Sequence, residues 1–390
     1  HVSQHNQWRQ TAHATAFSAA GAPATQALCA GCHGVSQIGN DATAAGGLPA
    51  TGDARFHNVQ CESCHGPGLE HVRNPDGGTA VQMLARIDAA INANGTCTEC
   101  HSGYHHPHVA DEWAASGHGT VLAAPAGRAE CAGCHEAKAA LRAFGALGAY
   151  REEGQAAPIA ITCAVCHDPH RATFQGQLRY SINIPDEQQN LCMRCHNKRG
   201  GPDFAAQNRG PHSPEGPMLL GEAGWWPPNM PIQPGTRIET THGSEANPRM
   251  CAGCHMQPVQ VAGAPPGNAS MTTSSHFFEA IPCLDAEGRP VRGTCGIQER
   301  TFRTCTGAGC HGSQGAARSA MLTVRLRLDN WNAQLQSQLA RVPAAEFNPN
   351  DNRYSTAEGA RFNGQLSQRS GSAVHNPFLM EALLIGSIQQ

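Results

Sequence analysis

Apolar positions recur with a helical period only near the C-terminal end of the chain. Val324, Leu328, Trp331, Leu335, Leu339 and Val342 follow one another at steps of four and three, which predicts an amphipathic helix. A second helix is predicted from Asn376-Pro377, with Asn as N-cap and Pro in the first turn, carrying Leu379, Leu383 and Ile388 on its apolar face. His375 directly precedes it, where it would be rigidly held. Residues 1–200 show no such stripe. Gly/Pro loops interrupt them at intervals of about 30 residues, leaving room for short helices only. No apolar run approaches the roughly 18 residues of a membrane span.

Composition sharpens this picture. Of 390 residues only 5% are aromatic and 15% charged, whereas 43 are Gly and 26 Pro. A chain so poor in large apolar side chains needs another material to fill its interior. The formal charge of −3, with no basic block, argues against nucleic acid as a partner. The start at His1 fits a mature form that has lost a signal peptide. Eighteen cysteines suggest zinc in the cytosol, or cross-links and haem thioethers outside it.

Spacing chooses between these. Cys-x-x-Cys-His occurs seven times. The first three are Cys29, Cys32 and His33; Cys61, Cys64 and His65; and Cys97, Cys100 and His101. The next two are Cys131, Cys134 and His135, then Cys163, Cys166 and His167. The last two are Cys192, Cys195 and His196, then Cys251, Cys254 and His255. Chance would give about 0.05 such motifs in a chain with these Cys and His frequencies. Zinc ribbons and thioredoxin-like pairs do not require histidine at the fifth position every time. The pattern is that of c-type haem attachment, in which two thiols add to the porphyrin vinyl groups and the adjacent His binds the iron. An eighth site is expected at Cys305, Cys310 and His311, whose loop is longer by two residues and contains Gly307 and Gly309. Eight iron-bearing haem c groups follow, one per about 49 residues, and they would be the core. Cys283 and Cys295 are left over and are expected to form a disulfide worth about 2–3 kcal/mol.

Motif order over nearly the whole chain resembles the multihaem c-type cytochromes, in which the Cys-x4-Cys-His variant is familiar. The resemblance implies an octahaem protein of the bis-histidine electron-transfer family. Its fold class would be a multihaem cytochrome c: mostly loops with short α-helices wrapped around a haem array, C-terminal α-helices and very little β. Along the chain we expect a six-haem region at 1–200 and a Pro/Trp-rich ordered loop packed over a haem face at 201–250. A two-haem region with the disulfide loop at 251–315 and a C-terminal helical segment at 316–390 complete the division.

Fourteen histidines lie outside the eight attachment motifs, more than are needed to cap every iron from its other side. Segments similar to distal-ligand stretches of that family single out His13, His71, His118, His170, His212, His242, His276 and His375. His57 and His106 are the main substitutes, and the run "YHHPH" leaves His105, His106 and His108 unordered. A second axial imidazole makes an iron six-coordinate and low-spin, which blocks substrate binding and leaves electron transfer.

Two functional classes remain. The first is an extracytoplasmic electron conduit, extracellular or at the cell surface with the periplasm as second choice, serving redox partner proteins or extracellular acceptors. Its sharper form resembles the cytochrome nanowires of metal-reducing microbes. His1, His5, His13 and His375 would then offer ligands to a neighbouring copy in a head-to-tail filament. The second is an octahaem oxidoreductase of the tetrathionate, nitrite or hydroxylamine type with one open iron. No Lys follows any motif, and a lysine-capped iron would have to use Lys138 or Lys198. A tyrosine cross-link would need Tyr104, Tyr150, Tyr180 or Tyr354.

Overall fold

The computed structural model describes residues 1–390 except 22–26, 79–80, 90–94, 103–107, 147, 203–209, 229, 232–235, 259–274, 308, 349–350 and 352–353. Its contacts gather into two units. Unit one joins His1–Tyr180 to Met256–Arg300, and unit two joins Ser181–His255 to Thr301–Gln390. Five attachment motifs therefore fall in the first and three in the second.

This division differs from the one expected at residue 200. The sixth motif belongs to unit two because Met193, inside it, is buried together with Leu219, Leu220 and Met250, next to the seventh motif. The disulfide segment belongs to unit one instead, where the Arg292 guanidinium donates to Thr120 Oγ1 at 2.9 Å.

Unit one is built from helices of one or two turns. The motifs form Ala27–His33, Cys61–His65, Cys97–Cys100, Ala129–His135 and Cys163–Cys166. A turn of helix puts residues i, i+3 and i+4 on one side, which is what two thiols and an imidazole serving one porphyrin require. Apolar packing is thin: Ala137, Ala140, Leu141, Val165, Ile87 and Ile159 make one small cluster. Cys283–Leu284 and Pro290–Val291 pair antiparallel, the one sheet among the described residues. The expected disulfide Cys283–Cys295 closes this hairpin.

Unit two has a conventional core. The predicted helices are present as Gln314–Leu339, capped by Ser313 through Ala316 N, and Pro377–Ile388, capped by Asn376 through Leu379 N at 3.0 Å. Leu328 and Leu335 of the first and Leu379, Leu383 and Leu384 of the second are fully buried against one another. Each such side chain contributes about 1.5–3 kcal/mol of burial, an upper estimate against a compact unfolded chain.

A third helix, Thr356–Ser367, completes this bundle and was not expected. Its start is written in Ser355 and Glu358, a capping box. Two glycines hid the rest. A Cβ at Gly359 would lie 2.1 Å from the Trp225 ring, and one at Gly364 would meet Gln336 and Asn332. The helix gives up apolar periodicity there for close approach.

Part of the 201–250 stretch is anchored by the same bundle. Trp225, Trp226, Met230 and Ile238 pack on the helical core, and Trp225 N and O both bond the Asn363 side chain, at 2.8 and 2.7 Å. Among the described residues no helix is long and apolar enough to cross a membrane.

Candidate haem-binding sites

Each attachment motif named here closes on itself by one backbone bond. The motif histidine's N–H donates to the carbonyl of the first cysteine: His101 to Cys97 at 3.0 Å, His167 to Cys163 at 2.8 Å and His196 to Cys192 at 3.0 Å. The longer eighth loop keeps the same closure, His311 N to Cys305 O at 3.0 Å. Gly309 absorbs the extra length at φ +80°, a left-handed conformation that disfavours any side chain. The two ends of the motif are therefore held as in the shorter motifs.

The second cysteines of the fourth and sixth motifs sit in different backbone. Cys134 lies in the last turn of the helix Ala129–His135, directly before its motif histidine. Cys195 lies in a turn outside any helix, where its N–H donates to the Cys192 carbonyl at 3.3 Å. Both are half-buried, and neither belongs to the Cys283–Cys295 disulfide, so both thiols keep the chemistry that haem attachment needs.

The imidazoles are set for metal by their far nitrogens. Nδ1 of His33, His65 and His167 lies 2.8, 2.6 and 2.6 Å from the carbonyls of Ala16, Met83 and Gly176. A carbonyl can only accept, so Nδ1 carries the proton and Nε2 keeps the lone pair that a metal needs. His242, outside the motifs, is held the same way by the Val374 carbonyl at 2.6 Å. His196 differs: its Nδ1 faces a carboxylate, Glu215 Oε2, at 3.3 Å. Asp168 Oδ1 stands 3.6 Å from Nδ1 of His170, with Arg179 on its other oxygen at 3.3 Å.

Among the described residues, at least five motif histidines are opposed by a second histidine drawn from elsewhere in the chain. In unit one these are His101 with His13 (ring centroids 6.3 Å), His65 with His170 (6.1 Å) and His167 with His276 (6.2 Å). In unit two they are His255 with His375 (6.2 Å) and His311 with His242 (6.3 Å). These spacings test the fit of an iron directly. A five-membered ring of about 1.35 Å bonds has its nitrogen about 1.15 Å from its centre. With metal–imidazole bonds of about 2.0 Å, two rings on opposite sides of one ion stand about 6.3 Å apart. All five pairs match.

His71 is placed differently. His71 faces His1, not a motif histidine, at 5.6 Å, with the two Nε2 atoms 3.4 Å apart. That is too close for ligands on opposite sides of an ion, whose nitrogens would be about 4 Å apart. His118 lies edge-on to Phe278 at 4.5 Å, and His212 is half-buried in unit two. His57 is stacked on Phe17 at 3.5 Å. His105 and His106 lie outside the described residues, and His108 Nδ1 pairs with Asp111.

Neighbouring motifs touch through their thiols. Cys32 meets Cys100, Cys97 meets Cys163, and Cys192 meets Cys251 through side-chain hydrogen bonds. Burial pushes the Cys64 thiol up to about 12, with Cys97 nearby adding to it, and Cys254 is raised by burial and by Cys305 and Cys310. Motif three is thus adjacent to motifs one, two and five, and motif seven to motifs six and eight.

Comparisons with known proteins agree with this geometry. Residues 157–201, which hold the fifth and sixth motifs, match the family model of the doubled CXXCH motif. The chain is similar in structure to the crystal structure of the outer cell wall cytochrome OcwA. The TM-score is 0.56 at 22% identity, over 93% of this chain and 75% of that one. The fold is that of a multihaem cytochrome. No protein of curated function matches this chain in sequence. Its motifs bind haem c through Cys-x-x-Cys-His, the attachment that the doubled motif describes. The residues that sequence reasoning passed over here are Asp168, two residues before its imidazole His170, and Glu215, which is brought to His196 only by folding.

Proposed function

We propose that this multihaem cytochrome is an electron carrier with eight covalently bound haems, acting in extracellular electron transfer. Each haem supplies an iron that exchanges one electron between the ferric and ferrous states. The single observation that carries the reading is the set of five opposed histidine pairs at 6.1–6.3 Å, which would close both axial positions of an iron. The thiol contacts between motifs support relay, because sites whose attachment points touch put their porphyrin edges close together. Structural likeness to a cytochrome named for the outer cell wall supports action outside the cell.

The enzymatic alternative requires an open or lysine-held iron. Lys138 is buried and committed elsewhere: its Nζ donates to the Gln155 carbonyl and to the Ala157 carbonyl at 2.8 Å, with Glu136 3.7 Å away. Tyr180 and Tyr354 hydroxyls donate to the backbone carbonyls of Phe144 and Glu358. These contacts favour the carrier. Filament formation is a separate proposition within this reading. His13 and His375, offered above as ligands for a neighbouring copy, face motif histidines of their own chain, so a donated ligand would have to come from His1 or His5.

The test is a pyridine haemochrome titration with ferric EPR on the purified holoprotein. The proposal expects eight haem equivalents per chain and low-spin signals. Markedly fewer equivalents, or a high-spin signal that responds to cyanide or nitrite, overturns it. Electron micrographs of purified material with isolated particles alone exclude the filament.

A further inference from the structure

The three sites of unit two are adjacent in the order six, seven, eight, yet the nitrogens behind their axial imidazoles meet three different environments. His196 of site six has the Glu215 carboxylate at Nδ1, 3.3 Å away. His242, which opposes His311 of site eight, has the Val374 carbonyl at 2.6 Å. His375, which opposes His255 of site seven, has a buried Nδ1 with no hydrogen-bond partner. The reason is local: the Nδ1 edge of His375 rests against Gly371, where a Cβ would stand only 2.7 Å from that nitrogen.

An anionic acceptor at Nδ1 gives imidazole part of the character of imidazolate, which makes it a stronger donor and favours the ferric over the ferrous iron. A neutral carbonyl does so less, and an unpartnered nitrogen least. Burial adds to the last case, since a low-dielectric setting disfavours the more charged ferric centre.

We propose that Glu215 is a positioning and tuning residue that makes site six the lowest-potential iron of unit two, while the unpartnered Nδ1 of His375 makes adjacent site seven the highest. One electron lost at site six is gained at site seven, so charge entering unit two collects on site seven between its two neighbours. Glu215 is suited to this part. It opens the short helix Glu215–Leu220, whose Met218, Leu219 and Leu220 are all buried, so the carboxylate is presented from an anchored segment.

The inference rests on the carrier reading above, and the experiment separates the two. Haem content and spin state are measured first on the holoprotein; a shortfall there sinks the carrier reading itself. Given a full complement, spectroelectrochemical titration of Glu215→Gln is expected to raise one low-lying midpoint. The expected change is at least tenfold in that iron's reduction equilibrium, about 59 mV for one electron. Site seven, whose His375 also feels the Glu215 charge, moves by less and the other midpoints stay in place, and Glu215→Asp, which keeps the charge, restores most of the shift. A merely structural role would move the melting temperature and not a single midpoint. Unchanged midpoints in Glu215→Gln, or a uniform drift of all of them, overturn the assignment.

Discussion

At the scale of the residue, the chemistry is divided between a nitrogen that binds and a nitrogen that is held. Burial, with His255 alongside, lowers His375 to about 4, so it is present as neutral imidazole with a lone pair throughout the neutral range. The carbonyls behind His33, His65, His167 and His242 fix the same form by hydrogen bonding. His276→Ala should therefore leave haem content unchanged, because the thioethers and His167 remain, while one ferric centre turns from low-spin to high-spin in the EPR spectrum. An unaltered spectrum would show that His276 is not the partner of His167. For the eighth motif, Cys305→Ser with Cys310→Ser should lower the pyridine haemochrome count by one equivalent. A count that stays the same would mean this loop holds no haem.

At the scale of the element, two kinds of helix serve two purposes. The short helices of unit one bury little of their own and exist to orient Cys and His side chains; the three C-terminal helices form an ordinary apolar core. Gly359→Val drives a side chain into the Trp225 ring and should cost about 1–3 kcal/mol, read as a lowered melting temperature at full haem content. Leu379→Ala in the same core should cost more, about 2–5 kcal/mol. The helix Gln314–Leu339 was legible because a stripe of Leu, Val and Trp repeats over several turns, and Pro377–Ile388 because Asn376-Pro377 opens a Leu/Ile face. The helix Thr356–Ser367 was less so, since Gly359 and Gly364 trade apolar side chains for close packing; only its capping box announces it.

At the scale of the whole molecule, a chain poor in large apolar residues is organised around the sites that hold its cofactor. Unit one depends on this most, with small apolar clusters and one cross-link. Cys283→Ser with Cys295→Ser should lower its stability by about 2–3 kcal/mol, seen as an earlier melt under oxidising conditions. Once the wild type is reduced, the two proteins should melt together. What the sequence determined by itself is the covalent half of each site: two thiols and one imidazole lie within five residues, or seven in the last motif, and one helical turn or bulged loop suffices to aim them. The other half was decided by tertiary structure. A second axial imidazole must reach the opposite side of the same ion from a distant part of the chain, as His13 does for His101 and His276 for His167, and nothing local in the sequence records that pairing. It turned His71 towards His1, stacked His57 on Phe17 and set Glu215 behind His196, because only the folded backbone brings those groups within bonding distance.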